Sequence, residues 1–115
     1  MRKISADEVP FEAVTKAGST KTEVQWLITS EVGAPNFAMR RYRIELGGKV
    51  GLHQHQEEHE VYIISGSAEF SNGQEKILVG PGDAVFIPPN ERHMITPAGN
   101  TDLEFLCVIP GAEKR

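Results

Sequence analysis

No stretch of this 115-residue chain keeps apolar residues at helical spacing beyond one turn. Short β-branched or alternating runs are separated instead by breaks rich in glycine, proline and asparagine. That pattern restricts the fold to an all-β sandwich or barrel of eight to ten strands. Residues 23–29 read as a first strand, ended by Val32-Gly-Ala-Pro-Asn36. Residues 37–46 alternate, and their more apolar face (Ala38, Arg40, Tyr42, Ile44, Leu46) is placed inward. The charged face, with Phe37, Met39, Arg41, Arg43 and Glu45, is placed outward. Further strands are expected at 60–65, 67–71, 74–79, 84–87, 93–96 and 103–109. Asn72-Gly73 is the clearest hairpin signal, because both residues tolerate positive φ.

The length suits one domain. Residues 1–22 are expected to form an N-terminal arm with Phe11 and Val14 tucked onto the body, 23–109 the barrel, and 110–115 a frayed polar tail. Sixteen acidic against twelve basic residues give a net charge of −4, which argues against a nucleic-acid or anionic-membrane surface. No apolar run approaches membrane-spanning length, and the first ten residues lack an apolar targeting core. The single cysteine, Cys107, excludes an internal disulfide and fits a reducing compartment, so a cytoplasmic protein is expected.

Three of the four histidines, His53, His55 and His59, lie within seven residues, and the fourth, His93, follows Pro88-Pro89-Asn90. Residues two apart on a strand share a face, so His53 and His55 project together, and His59 matches their parity. Val61 and Ile63 then continue the inner face, with Glu60, Tyr62 and Ile64 outward. Four imidazoles from separate strand segments can close around one divalent ion. Such a set disfavours magnesium and calcium and leaves Mn, Fe, Co, Ni, Cu or Zn. The competing arrangement is a hydrogen-bonded surface cluster with Glu57, Glu58 and Glu60. Glu58 or Glu60 could also replace His59 as a ligand, but parity puts Glu60 on the opposite face. A closed tetrahedron would be structural zinc, whereas a centre with open positions would be reactive.

Arg40 stands alone among apolar inward neighbours. Either its stem packs and its head reaches an edge carboxylate, or it lines a cavity and receives an anionic ligand.

The pattern Gly47-x5-His53-x-His55-x3-His59-x6-Gly66, followed by Gly82-x5-Pro88-x4-His93, resembles the two motifs of the cupin superfamily. Those motifs usually read G-x5-H-x-H-x3,4-E-x6-G and G-x5-P-x-G-x2-H-x3-N. The resemblance covers residues 37–109. His59 fills the usual glutamate slot, Asn90 the usual glycine, and no asparagine follows His93 at the usual offset. With Ala34-Pro-Asn-Phe before the barrel and residues 104–110 at its end, the chain is similar to small single-domain four-histidine cupins that bind manganese. That likeness implies a double-stranded β-helix (jelly-roll) barrel, a metal in its mouth held by His53, His55, His59 and His93, and a homodimer. Tyr62 and Ile64 are then candidates for the dimer surface.

Two functions follow from different classes. One is an oxygenase-like metalloenzyme (an oxidoreductase, in the manner of a dioxygenase) acting on a small organic substrate. Arg40 would anchor an anion, and Ile95, Phe105 and Cys107 would wall the cavity. A non-redox isomerase or lyase would use the same centre as a Lewis acid. The other is a metal-containing small-molecule binding or sensor module. The enzyme is favoured here.

Overall fold

The computed structural model describes residues 1–114. Its strands, in chain order, are β1 Glu12–Ala13, β2 Thr20–Ile28, β3 Phe37–His53, β4 His59–Ser65, β5 Ala68–Ser71, β6 Lys76–Val79, β7 Ala84–Ile87, β8 His93–Pro97 and β9 Leu103–Pro110. Single 3₁₀ turns at Ala6–Glu8, Lys16–Gly18 and Ser30–Val32 are the helical pieces among the described residues. The strands form one sheet in the order β6-β5-β8-β3-β9-β4-β7, with β2 also on β3 and β1 on β2. The sheet curls into an all-β jelly-roll barrel around one core.

Strand β3 is the spine. Its first half pairs with β9, from Phe37↔Pro110 to Ile44↔Leu103, while β2 runs along it from Met39 to Lys49. Its last residues pair instead with β8, at Val50↔Ile95 and His53↔His93. Ala38, Arg40, Tyr42 and Ile44 are buried as the alternation predicts, but Leu46 is not: it is 41% exposed. The β9 pairing ends at Ile44 and the chain bends through Gly47 (φ 83°), so the buried row is lost until Gly48 and Val50. The inner rows stack across the strands. Tyr42 and Phe105 lie face to face at 5.1 Å, with Phe70 edge-on to Phe105 at 6.4 Å. Burying each such aromatic contributes roughly 1.5–3 kcal/mol.

The ends of the chain are tied to this barrel. Gln25 Nε2 donates to the carbonyls of Ala6 and Val9, and the guanidinium of Arg43 covers Phe11 at 4.4 Å. Val14 packs on the core as expected. The expected frayed tail is corrected over its described part. Gly111 N–H bonds Asn36 O and Ser30 N–H bonds Ala112 O, both at 2.8 Å, Ala112 is buried, and Lys114 pairs with Glu12.

Two turns differ in an instructive way. At the β5–β6 hairpin only Gly73 takes positive φ (96°). Asn72 acts through its side chain instead, accepting the N–H groups of Gln74 and Glu75 at 2.9 and 2.7 Å. Asn90, by contrast, is itself left-handed (φ 65°), so the usual glycine position tolerates the non-glycine residue best suited to that conformation.

Gly51 is required for another reason. A Cβ there would lie 1.8 Å from the carbonyl oxygen of Ala17, because the Lys16–Gly18 turn docks directly on β3. Gly51 N–H also donates to Ser19 Oγ at 3.0 Å. Substituting Gly51→Ala is expected to cost about 1–3 kcal/mol or more by urea unfolding, since backbone rather than a flexible side chain must move.

Candidate metal centre

The antiparallel register sets His53 opposite His93, on the last residue of β3 and the first of β8. His59 opens β4, and His55 stands in the loop between β3 and β4. The strand therefore ends before His55, but the loop keeps the expected proximity because Asn90 N–H donates to His55 O at 2.8 Å. That bond ties the two histidine-bearing segments together. Ring centroids lie 4.3 Å apart for His53–His93, 4.5 Å for His55–His59 and 5.0 Å for both His55–His93 and His59–His93. His53, His55 and His93 offer ligand nitrogens all within 4.8 Å of one another. His59 joins the cluster through His55, with Nε2 to Nε2 at 2.6 Å.

Hydrogen bonds at the outer nitrogens set the tautomers. His53 Nδ1 lies 2.7 Å from Gly51 O, and His93 Nδ1 lies 2.9 Å from Glu91 O. A carbonyl only accepts, so each Nδ1 carries the proton and each Nε2 keeps its lone pair for the cluster. This is the arrangement a metal-binding imidazole needs. His59 differs: its Nδ1 faces Arg40 Nη2 at 3.3 Å and Cys107 Sγ at 2.7 Å. Arg40 can only donate, so in the metal-free protein Nδ1 accepts and the His59 proton sits on Nε2, toward His55. Ligation through Nε2 would move that proton to Nδ1, where Cys107 Sγ is placed to accept it.

Arg40, Trp26 and Cys107 meet because they occupy one inner row, Arg40 opposing Trp26 on β2 and Cys107 on β9. Arg40 is 3% exposed. It donates to Tyr42 Oη at 2.7 Å and to Cys107 Sγ at 3.1 Å, and its guanidinium stacks on Trp26 and Tyr42 at 5.3 and 5.0 Å. Among the described residues no carboxylate pairs with it, and its Nε has no partner. Of the two expectations for Arg40, the edge carboxylate is not found and the cavity wall is: Arg40 lines clefts on both of its open sides.

Ile95, Phe105 and Cys107 are all buried, and with His53, His59 and His93 they line a cavity of about 20 Å³ beneath the histidines. That is room for about one water molecule, and these three wall the histidine cluster from below. Glu60 points outward and is exposed, whereas Glu57 lines the mouth beside His55 and His59, with its Oε1 3.8 Å from His55 Nδ1. Sequence reasoning missed Lys16 and Trp26. Trp26 shares the inner face of β2 with Thr22 and Val24, a parity signal that was available. Lys16 sits in an irregular turn that carried none.

Burial lowers the pKa of all four histidines. It draws His93 to about 4, and His59, where Arg40 adds its charge, to about 2. Burial likewise raises Cys107, against the opposing pull of Arg40, so its sulfur is a thiol. Between the ordinary imidazole value near 6.5 and these lowered values, the unfolded chain binds more protons than the folded one. The stability from neutral His59 and His93 is therefore complete above about pH 6.5 and is lost as pH falls, toward about 4 for His93 and toward about 2 for His59. The thermal midpoint of chelator-treated protein, followed by circular dichroism, is expected to drop between pH 7.5 and pH 5.

The cupin domain family matches residues 40–109, a span that includes all four histidines. The oxalate-binding protein of Thermotoga maritima is 34% identical over 110 residues, covering 92% of this chain and 91% of its own. Among solved structures, the polyketide cyclase RemF of Streptomyces resistomycificus superposes with a TM-score of 0.88 at 30% identity, over 96% of this chain and 79% of that one. A predicted oxalate decarboxylase of Thermotoga maritima gives 0.83 at 30% identity, over 95% and 98%. By its sequence match and its all-β topology, this chain belongs to the cupin family.

Proposed function

We propose that His53, His55, His59 and His93 hold one divalent transition metal and that the centre acts on a small organic molecule in oxygenase-like chemistry. What carries this is the pair of imidazoles, His53 and His93, whose backbone hydrogen bonds leave both Nε2 lone pairs free for the cluster. Manganese is the assignment, resting on the likeness to four-histidine manganese cupins, with Fe, Co, Ni, Cu and Zn compatible with the same donors. Once bound, the metal supplies Lewis-acid or redox activation to an oxygen of the ligand.

The chain's own residues do the rest. With a metal on His59 Nε2, the Nδ1–H of His59 would donate to Cys107 Sγ, which would fix that ring. Arg40 receives an anionic group of the ligand beside the histidines. The buried wall of Ile95, Phe105 and Cys107 keeps bulk water from the underside. Glu57, at the mouth, is placed to exchange a proton with His55 or ligand.

A binding or sensor module without catalysis is the second reading, favoured by the name of the oxalate-binding relative. We further propose a homodimer through the outer sheet face, where Tyr62 and Phe86 are 50% and 60% exposed and Ile64 adds to the patch. The buried, unpaired thiol fits a cytoplasmic setting.

Protein purified without chelator is expected to carry about one transition metal per chain by elemental analysis, and the double variant His53→Ala/His93→Ala none. A full complement in that variant would sink the assignment. Cys107→Ala is expected to weaken metal binding roughly 10–100-fold while the barrel persists, as loss of an outer-shell partner does. Paramagnetic resonance of the loaded protein separates enzyme from binder: exchangeable water positions support the enzyme, and a closed tetrahedron excludes it.

A further inference from the structure

Two clefts share a wall made of Lys16, Trp26 and Arg40. One, about 230 Å³, opens on the histidines and is completed by His55, Glu57 and His59. The other, about 510 Å³, runs away from them beneath the N-terminal arm, over Val14, Val24 and Tyr42. The larger cleft alone lies within the roughly 300–1,000 Å³ usual for drug-sized ligands, far more than a two-carbon diacid fills.

The chemistry of the shared wall is specific. Arg40 is a buried cation whose protein partners are a hydroxyl, a sulfur and an imidazole, all neutral. A guanidinium withdrawn from water without a counter-charge is costly, and an anion arriving from the cleft relieves that cost. Lys16 brings a second positive charge to the same wall, against Glu57 on the histidine side and Glu12 on the groove side. Beside them Trp26 offers an indole surface, and Val14, Val24 and Tyr42 extend it with apolar and aromatic area.

Resting on the metal-centre reading above, we infer that the ligand is an aryl or similarly flat apolar carboxylic acid. Its carboxylate lies between Arg40 and Lys16, next to His59, and its apolar body lies along Trp26 in the groove. Lys16 is then a specificity residue supplied by the arm, held in place by the docking of its turn on Gly51.

The probe is 3-phenylpropanoate, with 3-phenylpropan-1-ol as the uncharged isostere and oxalate as the acid without an apolar body. Binding is measured by calorimetry and by the emission of Trp26, the chain's single tryptophan, on metal-loaded and chelator-treated protein. In the chelator-treated protein the aryl acid is expected to bind at least about tenfold tighter than either control and to change the Trp26 emission. Lys16→Gln, at an exposed position that leaves the core intact, is expected to weaken the acid roughly tenfold and leave the alcohol unchanged. Equal binding of acid and alcohol, preference for oxalate in both protein forms, or indifference to Lys16→Gln overturns the inference. Should no metal be retained while the acid still binds in a Lys16-dependent way, the metal reading fails and this one stands. Should metal be retained and the acid bind neither form, the reverse holds.

Discussion

The architecture depends on a single strand that must change partners midway. Strand β3 serves β2 and β9 with its first half and β8 with its last residues, so the curl of the sheet is built into one continuous backbone. A strand that bends this sharply beside two others has little room for side chains at the turning points. At Gly48 an added Cβ would sit 2.6 Å from Thr20 O, and at Gly51 the clash with Ala17 is closer still. Because β3 ends in His53, the same bend that closes the barrel also delivers the first histidine to β8 and His93. Closure of the fold and assembly of the centre are therefore one geometric event.

Around that centre the protein manages charge by keeping imidazoles neutral and placing a permanent cation beside them. Backbone carbonyls hold two rings in one tautomer, while Arg40 and Cys107 hold His59 in a different setting. The usual carboxylate ligand would have offset some of the positive charge of a metal. His59 offers none, and Arg40 adds one more. Among the described residues no carboxylate pairs with Arg40 itself, and the clefts on either side of it are where an anion can enter.

Much of this was legible from residue order because strand parity is a strict code. The alternation over 37–46 put Ala38, Arg40, Tyr42 and Ile44 inside, and 60–64 sorted Val61 and Ile63 from Tyr62 and Ile64. The code fails where the backbone leaves the pleat. Leu46 falls on the bend, and Asn72 reaches its turn through a side-chain amide rather than through φ. Long-range contacts of irregular segments were equally hidden. Nothing local in Lys16-Ala-Gly-Ser announces that its carbonyl presses on Gly51 thirty-odd residues away, nor does the polar tail announce its bonds to Ser30 and Asn36. Arg40 was recognisable as anomalous from its apolar neighbours, but the absence of a carboxylate partner is a property of the assembled rows.

The docking of the Lys16–Gly18 turn joins two stretches of the chain that are far apart in sequence. The segment shared with the cupin family, residues 40–109, carries every histidine together with Arg40 and Cys107. Lys16, Trp26 and the whole arm-side wall of the groove lie outside it. The histidine cluster and the arm-side wall of the groove thus come from separate stretches of one polypeptide, joined by a glycine-sized contact. A change confined to the short N-terminal segment would therefore reshape the groove while leaving the four histidines where they stand.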